Sequence, residues 1–171
     1  MHGIWSSTTT TTTSNRKFTS KQSMYKIQKD FGEFPAAHRQ PFHSGHCAHI
    51  HGHNWRFIAE LESAGLDDNG FVFDFGNFSE IKEWLRQNFD HTLLLQDNDP
   101  QLPNLQQALG AVSRIIVSPS VSCEGLAKQF SDRLVAFLVN HQRGSQFPVI
   151  LVSKATVYED GKNSATYERK F

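Results

Sequence analysis

Three histidines, His38, His51 and His53, have the residue type and spacing to converge on one metal ion. Six of the nine histidines fall between His38 and His53, so geometry must select among them. His51, His53, Trp55, Phe57, Ala59 and Leu61 alternate with Gly52, Asn54, Arg56, Ile58, Glu60 and Glu62. That alternation is a period-two strand, which puts the rings of His51 and His53 on one face. Gly52 between them lets another group approach the backbone closely. His38 ends an earlier extended segment expected to run antiparallel beside this strand. The three imidazoles can then meet at the ~2.0–2.1 Å that zinc requires. Three neutral imidazoles leave a tetrahedral ion one open position, as in catalytic zinc sites. Cys47 admits two readings. As a fourth ligand it would close the site and make the zinc structural; outside the shell it would be a reactive thiol beside the metal. His43, His46 and His49 read as exposed loop histidines.

The elements that must position these groups follow from pattern and turn chemistry. Ser23 to His38 suits a strand, with Gly32 and Pro35 implying a bulge or an edge position. Residues 39–50 form a polar loop, and His51 to Glu62 is the alternating strand. Asp67-Asp68-Asn69-Gly70 reads as a turn, and Phe71 to Phe75 as a short strand. Asn77 with Glu80 resembles a capping box, ahead of Phe78, Ile81, Trp84 and Leu85 at helical spacing. Residues 92–121, with three prolines and no clear period, read as a surface excursion. Ser122 caps a second helix carrying Leu126, Phe130, Leu134, Phe137 and Leu138 on one face. Pro148 to Glu159 and Ser164 to Phe171 flank Asp160-Gly161-Lys162-Asn163 as a hairpin. Strands paired around two helices predict an α+β domain, an antiparallel sheet with both helices on one face. Its exposed edges invite oligomerisation.

Bulk composition narrows the classes. The chain has 171 residues, enough for one domain, and 17 basic side chains against 17 acidic ones. A balanced charge gives no electrostatic case for nucleic acid or an anionic membrane as partner. Two cysteines are no disulfide framework, so a reduced, cytoplasmic protein is expected. No apolar run approaches the ~20 residues of a membrane span. The Thr-rich residues 1–22 read as a disordered tail preceding a domain over 23–171.

Phe34-Pro35-Ala36-Ala37-His38 followed by Cys47-Ala48-His49-Ile50-His51-Gly52-His53 resembles the 6-pyruvoyl-tetrahydropterin synthase superfamily, particularly the 6-carboxytetrahydropterin synthases of queuosine biosynthesis. The resemblance continues through Asp74-Phe75, Asp90-His91, Ser122-Cys123-Glu124, Glu159 and Tyr167. It implies the tunnelling or T-fold, a four-stranded antiparallel sheet with two helices on one face, assembled into a ring. The ring is commonly a homohexamer of two stacked trimers with sites at subunit boundaries. It implies His38, His51 and His53 as zinc ligands, Cys47 as the catalytic cysteine, and Asp90 with His91 as its partners across the boundary. Glu159 corresponds to the carboxylate anchoring the pterin, and Glu124 to a second acidic position near it. The adjacent Asp90 and His91 can face each other only if the chain bends after Phe89. The implied reaction is a lyase step on 7,8-dihydroneopterin triphosphate. The short interval from Cys47 to His51 favours 6-carboxy-5,6,7,8-tetrahydropterin, with release of acetaldehyde and triphosphate. The alternatives are a 6-pyruvoyl product, a zinc- and pterin-binding oligomer without turnover, and a three-histidine zinc hydrolase. Two features depart from the family pattern: Ser122-Cys123 stands where relatives often carry Thr-Ser or Thr-Thr, and the segment from Leu95 to Ser122 is longer than in compact relatives.

Overall fold

The two alternating segments form long antiparallel strands, β1 (Tyr25–His38) and β2 (His51–Ser63). They sit in a computed structural model that describes residues 23–142 and 148–171. The expected Thr-rich tail, 1–22, lies outside the described residues. A bulge in β1 decides what the strand presents. The register with β2 shifts between Asp30 and Glu33, and Gly32 takes φ +85°, a left-handed value that suits glycine. Asp30 secures the turn by accepting a bond from Gly32 N at 2.9 Å. Before the bulge Phe31 is buried; after it Phe34, Ala36 and His38 are. The parity change turns His38 inward, because a one-residue slip exchanges the two faces of a strand.

The remaining elements are α1 (Ser79–Phe89), β3 (Thr92–Gln96), α2 (Leu102–Leu109), β4 (Arg114–Ser118), α3 (Cys123–His141), β5 (Ile150–Tyr158) and β6 (Ser164–Glu168). The sheet runs β4-β3-β1-β2-β5-β6. Strands β1, β2, β5 and β6 supply the expected antiparallel four. The expectation of four strands and two helices is otherwise corrected: among the described residues the sheet is mixed and six-stranded, with three α-helices. Strands β3 and β4 extend it in parallel beyond β1.

Within residues 92–121, read as a surface excursion, Thr92–Gln96 is instead a core strand, whereas α2 has no buried residue and does lie at the surface. Leu93, Leu94 and Leu95 are buried on both faces of β3, and a strand covered on both sides shows an apolar run instead of alternation. The three prolines punctuate this unit: Pro100 lies in the turn after β3, Pro103 in the first turn of α2, and Pro119 just past β4. Two smaller expectations also fail. Phe71 to Phe75 is a loop that enters a short 3-10 helix, Phe75–Phe78, and pairs with no strand. Phe73 packs instead on Phe78, with ring centroids 4.7 Å apart. The Asn77–Glu80 box is absent: Asp74 caps the 3-10 turn through Gly76 N, and Glu80 pairs with Arg133 of α3 at 2.6 Å.

Helices α1 and α3 pack on one face of the sheet. Ile81, Leu85 and Phe89 from α1, and Leu126, Phe130, Leu134 and Phe137 from α3, close over Trp55, Phe57, Ala59 and Leu61 of β2. Ser122 caps α3 as expected, accepting from Gly125 N at 3.1 Å. No helix among the described residues is long and apolar enough to cross a membrane.

Candidate metal centre

The register that pairs His38 with His51 and Ala36 with His53 brings three imidazoles to the end of the buried face. Ring centroids of His38 and His51 lie 4.5 Å apart, those of His51 and His53 4.9 Å, and those of His38 and His53 5.2 Å. Trp55, fully buried, floors the cluster edge-on to His38 at 5.0 Å and to His53 at 5.3 Å.

Hydrogen bonds fix where the ring protons sit. His38 Nδ1 lies 2.8 Å from Val121 O, and His51 Nδ1 lies 2.8 Å from His49 O. A carbonyl can only accept, so both Nδ1 atoms carry hydrogen and each neutral ring keeps its Nε2 lone pair free. Those Nε2 atoms face each other at 3.1 Å. With both Nδ1 atoms engaged, the two Nε2 atoms are placed to share one cation, a metal ion or a proton. His38 is 1% exposed. Burial pushes its pKa down to about 4, with the neighbouring His51 and His53 adding to the effect and the Val121 carbonyl opposing it. It is neutral at pH 7, as a metal ligand must be.

The hairpin joining β5 and β6 supplies a fourth donor. Glu159 N donates to Asn163 O at 3.0 Å, and its Oε1 lies 3.2 Å from His53 Nε2 and 3.5 Å from His38 Nε2. His53 Nε2 is buried and lacks a hydrogen bond, because the contact to Glu159 is not aligned for one. All four donor atoms fall within 4.8 Å of one another. Ligands ~2.0–2.1 Å from a tetrahedral ion sit about 3.3 Å from each other. The separations of 3.1, 3.2 and 3.5 Å fit that figure, so the group can hold a metal ion. Sequence reading assigned Glu159 to substrate; that its carboxylate also stands at the cluster carries no signal in the chain, because the β5–β6 turn brings it there.

The other singled-out residues fall at different distances from this centre. Cys47, half-buried in a 3-10 turn at His46–Ala48, is not among the four donors. Its carbonyl accepts from Gln40 N at 2.8 Å. His43, His46 and His49 are exposed, as expected. The bend after Phe89 exists: His91 takes φ +56°, its N donates to Pro35 O at 2.7 Å, and its Nδ1 lies 2.6 Å from Asp90 Oδ1. The His91 side chain is 84% exposed, so within one chain this pair faces solvent. It borders an open cleft of about 440 Å³ that runs over Gly52, His53 and Asn54. A second cleft, about 450 Å³, shares those three residues and extends over Arg56, Tyr158 and Glu159. His53 thus stands between two openings. Glu124 is exposed on the first turn of α3. Beside it, burial pushes the Cys123 thiol up to about 11, with the charges of Glu159 and Glu124 adding to the effect, and its Sγ donates to Val157 O at 3.1 Å.

Known proteins share this arrangement of sequence and fold. A family model described as 6-pyruvoyl tetrahydropterin synthase matches residues 26–170. A 6-carboxy-5,6,7,8-tetrahydropterin synthase from Rickettsia bellii is 35% identical over 71 residues, 41% of this chain and 51% of that protein. The chain therefore spans about half the length of such relatives. A protein of the same name from Aquifex aeolicus is 25% identical over 127 residues, 72% of this chain and 76% of the other. An uncharacterized protein from Wolinella succinogenes superposes with a TM-score of 0.73 at 21% identity, covering 86% of this chain and 99% of that one. The 6-pyruvoyl tetrahydropterin synthase of Plasmodium falciparum does so at 0.63 and 17% identity, covering 87% and 99%. These likenesses to solved structures establish the shared fold. With the family model spanning nearly all of the described domain, the chain belongs to the 6-pyruvoyl tetrahydropterin synthase family.

Proposed function

We propose that this chain is a zinc-dependent lyase that converts 7,8-dihydroneopterin triphosphate and one water to 6-carboxy-5,6,7,8-tetrahydropterin, releasing acetaldehyde and triphosphate. The observation that carries the metal part is the pair of Nε2 lone pairs of His38 and His51 at 3.1 Å, with His53 and Glu159 completing four corners. For the product, the relatives named for the carboxy compound include one 25% identical over 72% of this chain, whereas the pyruvoyl-named structure from Plasmodium falciparum is 17% identical over 87%.

His38, His51 and His53 are the ligands in this reading. Zinc, when bound, supplies an electrophilic centre that polarises oxygen atoms of the substrate side chain. Val121 O and His49 O hold the rings of His38 and His51 in the tautomer whose Nε2 is free. Cys47 acts as the base, moving a proton at a carbon next to a carbonyl. Asp90 orients His91 through the 2.6 Å bond, and the exposed pair serves a site shared with a second copy. The functional form in this reading is a homo-oligomer, a hexamer of two stacked trimers, in the cytoplasm. Glu159 leaves His53 when substrate arrives and accepts two N–H bonds from the pterin edge, a charge-assisted bidentate contact. Glu124 serves in this reading as a second acidic group near the pterin.

Incubating zinc-loaded protein with 7,8-dihydroneopterin triphosphate and weighing the pterin product tests the proposal. The carboxy product with acetaldehyde is expected. A pyruvoyl product would move the chain to the other branch of its family, and absence of turnover would leave a zinc- and pterin-binding oligomer.

A further inference from the structure

Arg39 and Asp99 form an ion pair that neither the metal cluster nor the clefts contain. Asp99 lies in the turn after β3, and its side chain is wholly inaccessible. The turn holds it firmly: its Oδ1 accepts from Gln101 N at 2.8 Å, its N donates to Gln96 O at 3.1 Å, and Leu102 N donates to its carbonyl at 2.9 Å. Its Oδ2 faces Arg39 Nε at 3.5 Å, and both atoms are buried without a hydrogen bond. Among the described residues no other cation pairs with Asp99. A buried carboxylate without a compensating charge is expensive, so Arg39 is bound to stay where Asp99 puts it.

Arg39 occupies a junction. It directly follows His38, which ends β1, and it precedes Gln40, whose N donates to Cys47 O at 2.8 Å. Strand β3, which carries the Asp99 turn, lies parallel beside β1, with His38 opposite Leu94. One carboxylate therefore fixes the peptide units that lead to the histidine cluster on one side and to the Cys47 turn on the other. A pair of this kind gives stability no greater than an apolar replacement would, but it imposes a defined geometry.

We propose that Asp99 is a positioning residue: through Arg39 it sets the Cys47 turn relative to the His38 end of the metal cluster. The relevance to turnover rests on the reading of Cys47 as the base, whereas the positioning itself can be measured without turnover. Full-length zinc-loaded parent is compared with Asp99→Asn, with the apolar double replacement Asp99→Leu/Arg39→Met, and with Arg39→Lys. Asp132→Asn, at an exposed carboxylate paired with Lys128 and Arg169, is the control. The readouts are the iodoacetamide alkylation rate of Cys47, mapped by peptide mass apart from Cys123, zinc affinity by chelator competition, and kcat against KM. The double replacement is expected to melt near the parent temperature, to change Cys47 alkylation at least fivefold and to lower zinc affinity about tenfold. Its kcat falls more than its KM rises, and the control moves nothing. If the folded double replacement keeps both alkylation rate and zinc affinity within twofold of the parent, Asp99 is a structural tie and the proposal is overturned. Should it fail to fold, Asp99→Asn decides by the same two limits, because it removes the charge facing Arg39 and keeps the side-chain oxygen that accepts from Gln101 N. A parent without turnover would remove the lyase reading and leave the Asp99 result intact.

Discussion

Acid should destabilise the metal-free protein through His38 in a way that one substitution removes. The folded pKa of His38 is about 4 against an ordinary 6.5. Above pH 6.5 the ring is neutral folded and unfolded, and the full stability is present. As pH falls below 6.5 the unfolded chain takes up a proton that the folded chain refuses, so stability drains until about pH 4. The groups facing the ring are His51 and His53 of β2, Glu159 of the β5–β6 turn and the Val121 carbonyl. A difference of that size is worth about 2.5 kcal/mol by pH 4.5, a large part of the ~5–15 kcal/mol that holds a domain folded. Urea unfolding of metal-free parent and His38→Asn at pH 7.0, 5.5 and 4.5, followed by tryptophan fluorescence, measures it. Asparagine keeps a donor for Val121 O and cannot titrate. The parent's stability should fall by about 2.5 kcal/mol more than the variant's over that range. Parallel pH curves for the two proteins would refute the burial argument and, with it, the claim that the ring is held neutral.

Three further outcomes follow from particular contacts. Glu159→Gln should retain zinc and lose pterin binding if the carboxylate serves substrate; loss of zinc in equilibrium dialysis would make it a ligand instead. Leu94→Ala, which removes a fully buried side chain from β3, should cost about 2–5 kcal/mol in urea unfolding, whereas a cost under 1 kcal/mol would contradict a core role for that strand. Ser122→Ala removes the acceptor for Gly125 N at the start of α3 and should cost about 1 kcal/mol. Unchanged stability there would mean that water replaces the cap.

What could be read from the chain divides along physical lines. His51 and His53 were legible because a strand's period of two is strict, and Gly32 announced the bulge that turns His38 inward. Ser122 was legible because a capping side chain must precede its helix. Strand β3 was not, since Leu93-Leu94-Leu95 lacks the alternation of a half-exposed strand and resembles any short apolar run. The Phe71–Phe75 segment misled in the opposite sense. Its aromatic residues alternate, yet Phe73 packs on Phe78 and Phe137 of the helix layer. The partners of His38 and His51, Val121 O and His49 O, are main-chain atoms and have no side-chain signature at all.

The four donors of the cluster belong to segments that translation delivers at very different times. His38, His51 and His53 lie on one hairpin of β1 and β2, which can form as a local unit, whereas Glu159 waits for the turn between β5 and β6. An ion captured early by the histidines would tether one short loop. Glu159 reaches the cluster only once β5 and β6 have paired, so contact order separates the local histidine hairpin from the long-range carboxylate. The carboxylate that receives the pterin is therefore the last part of the site to be built, and capture of an ion by the three histidines does not wait for it.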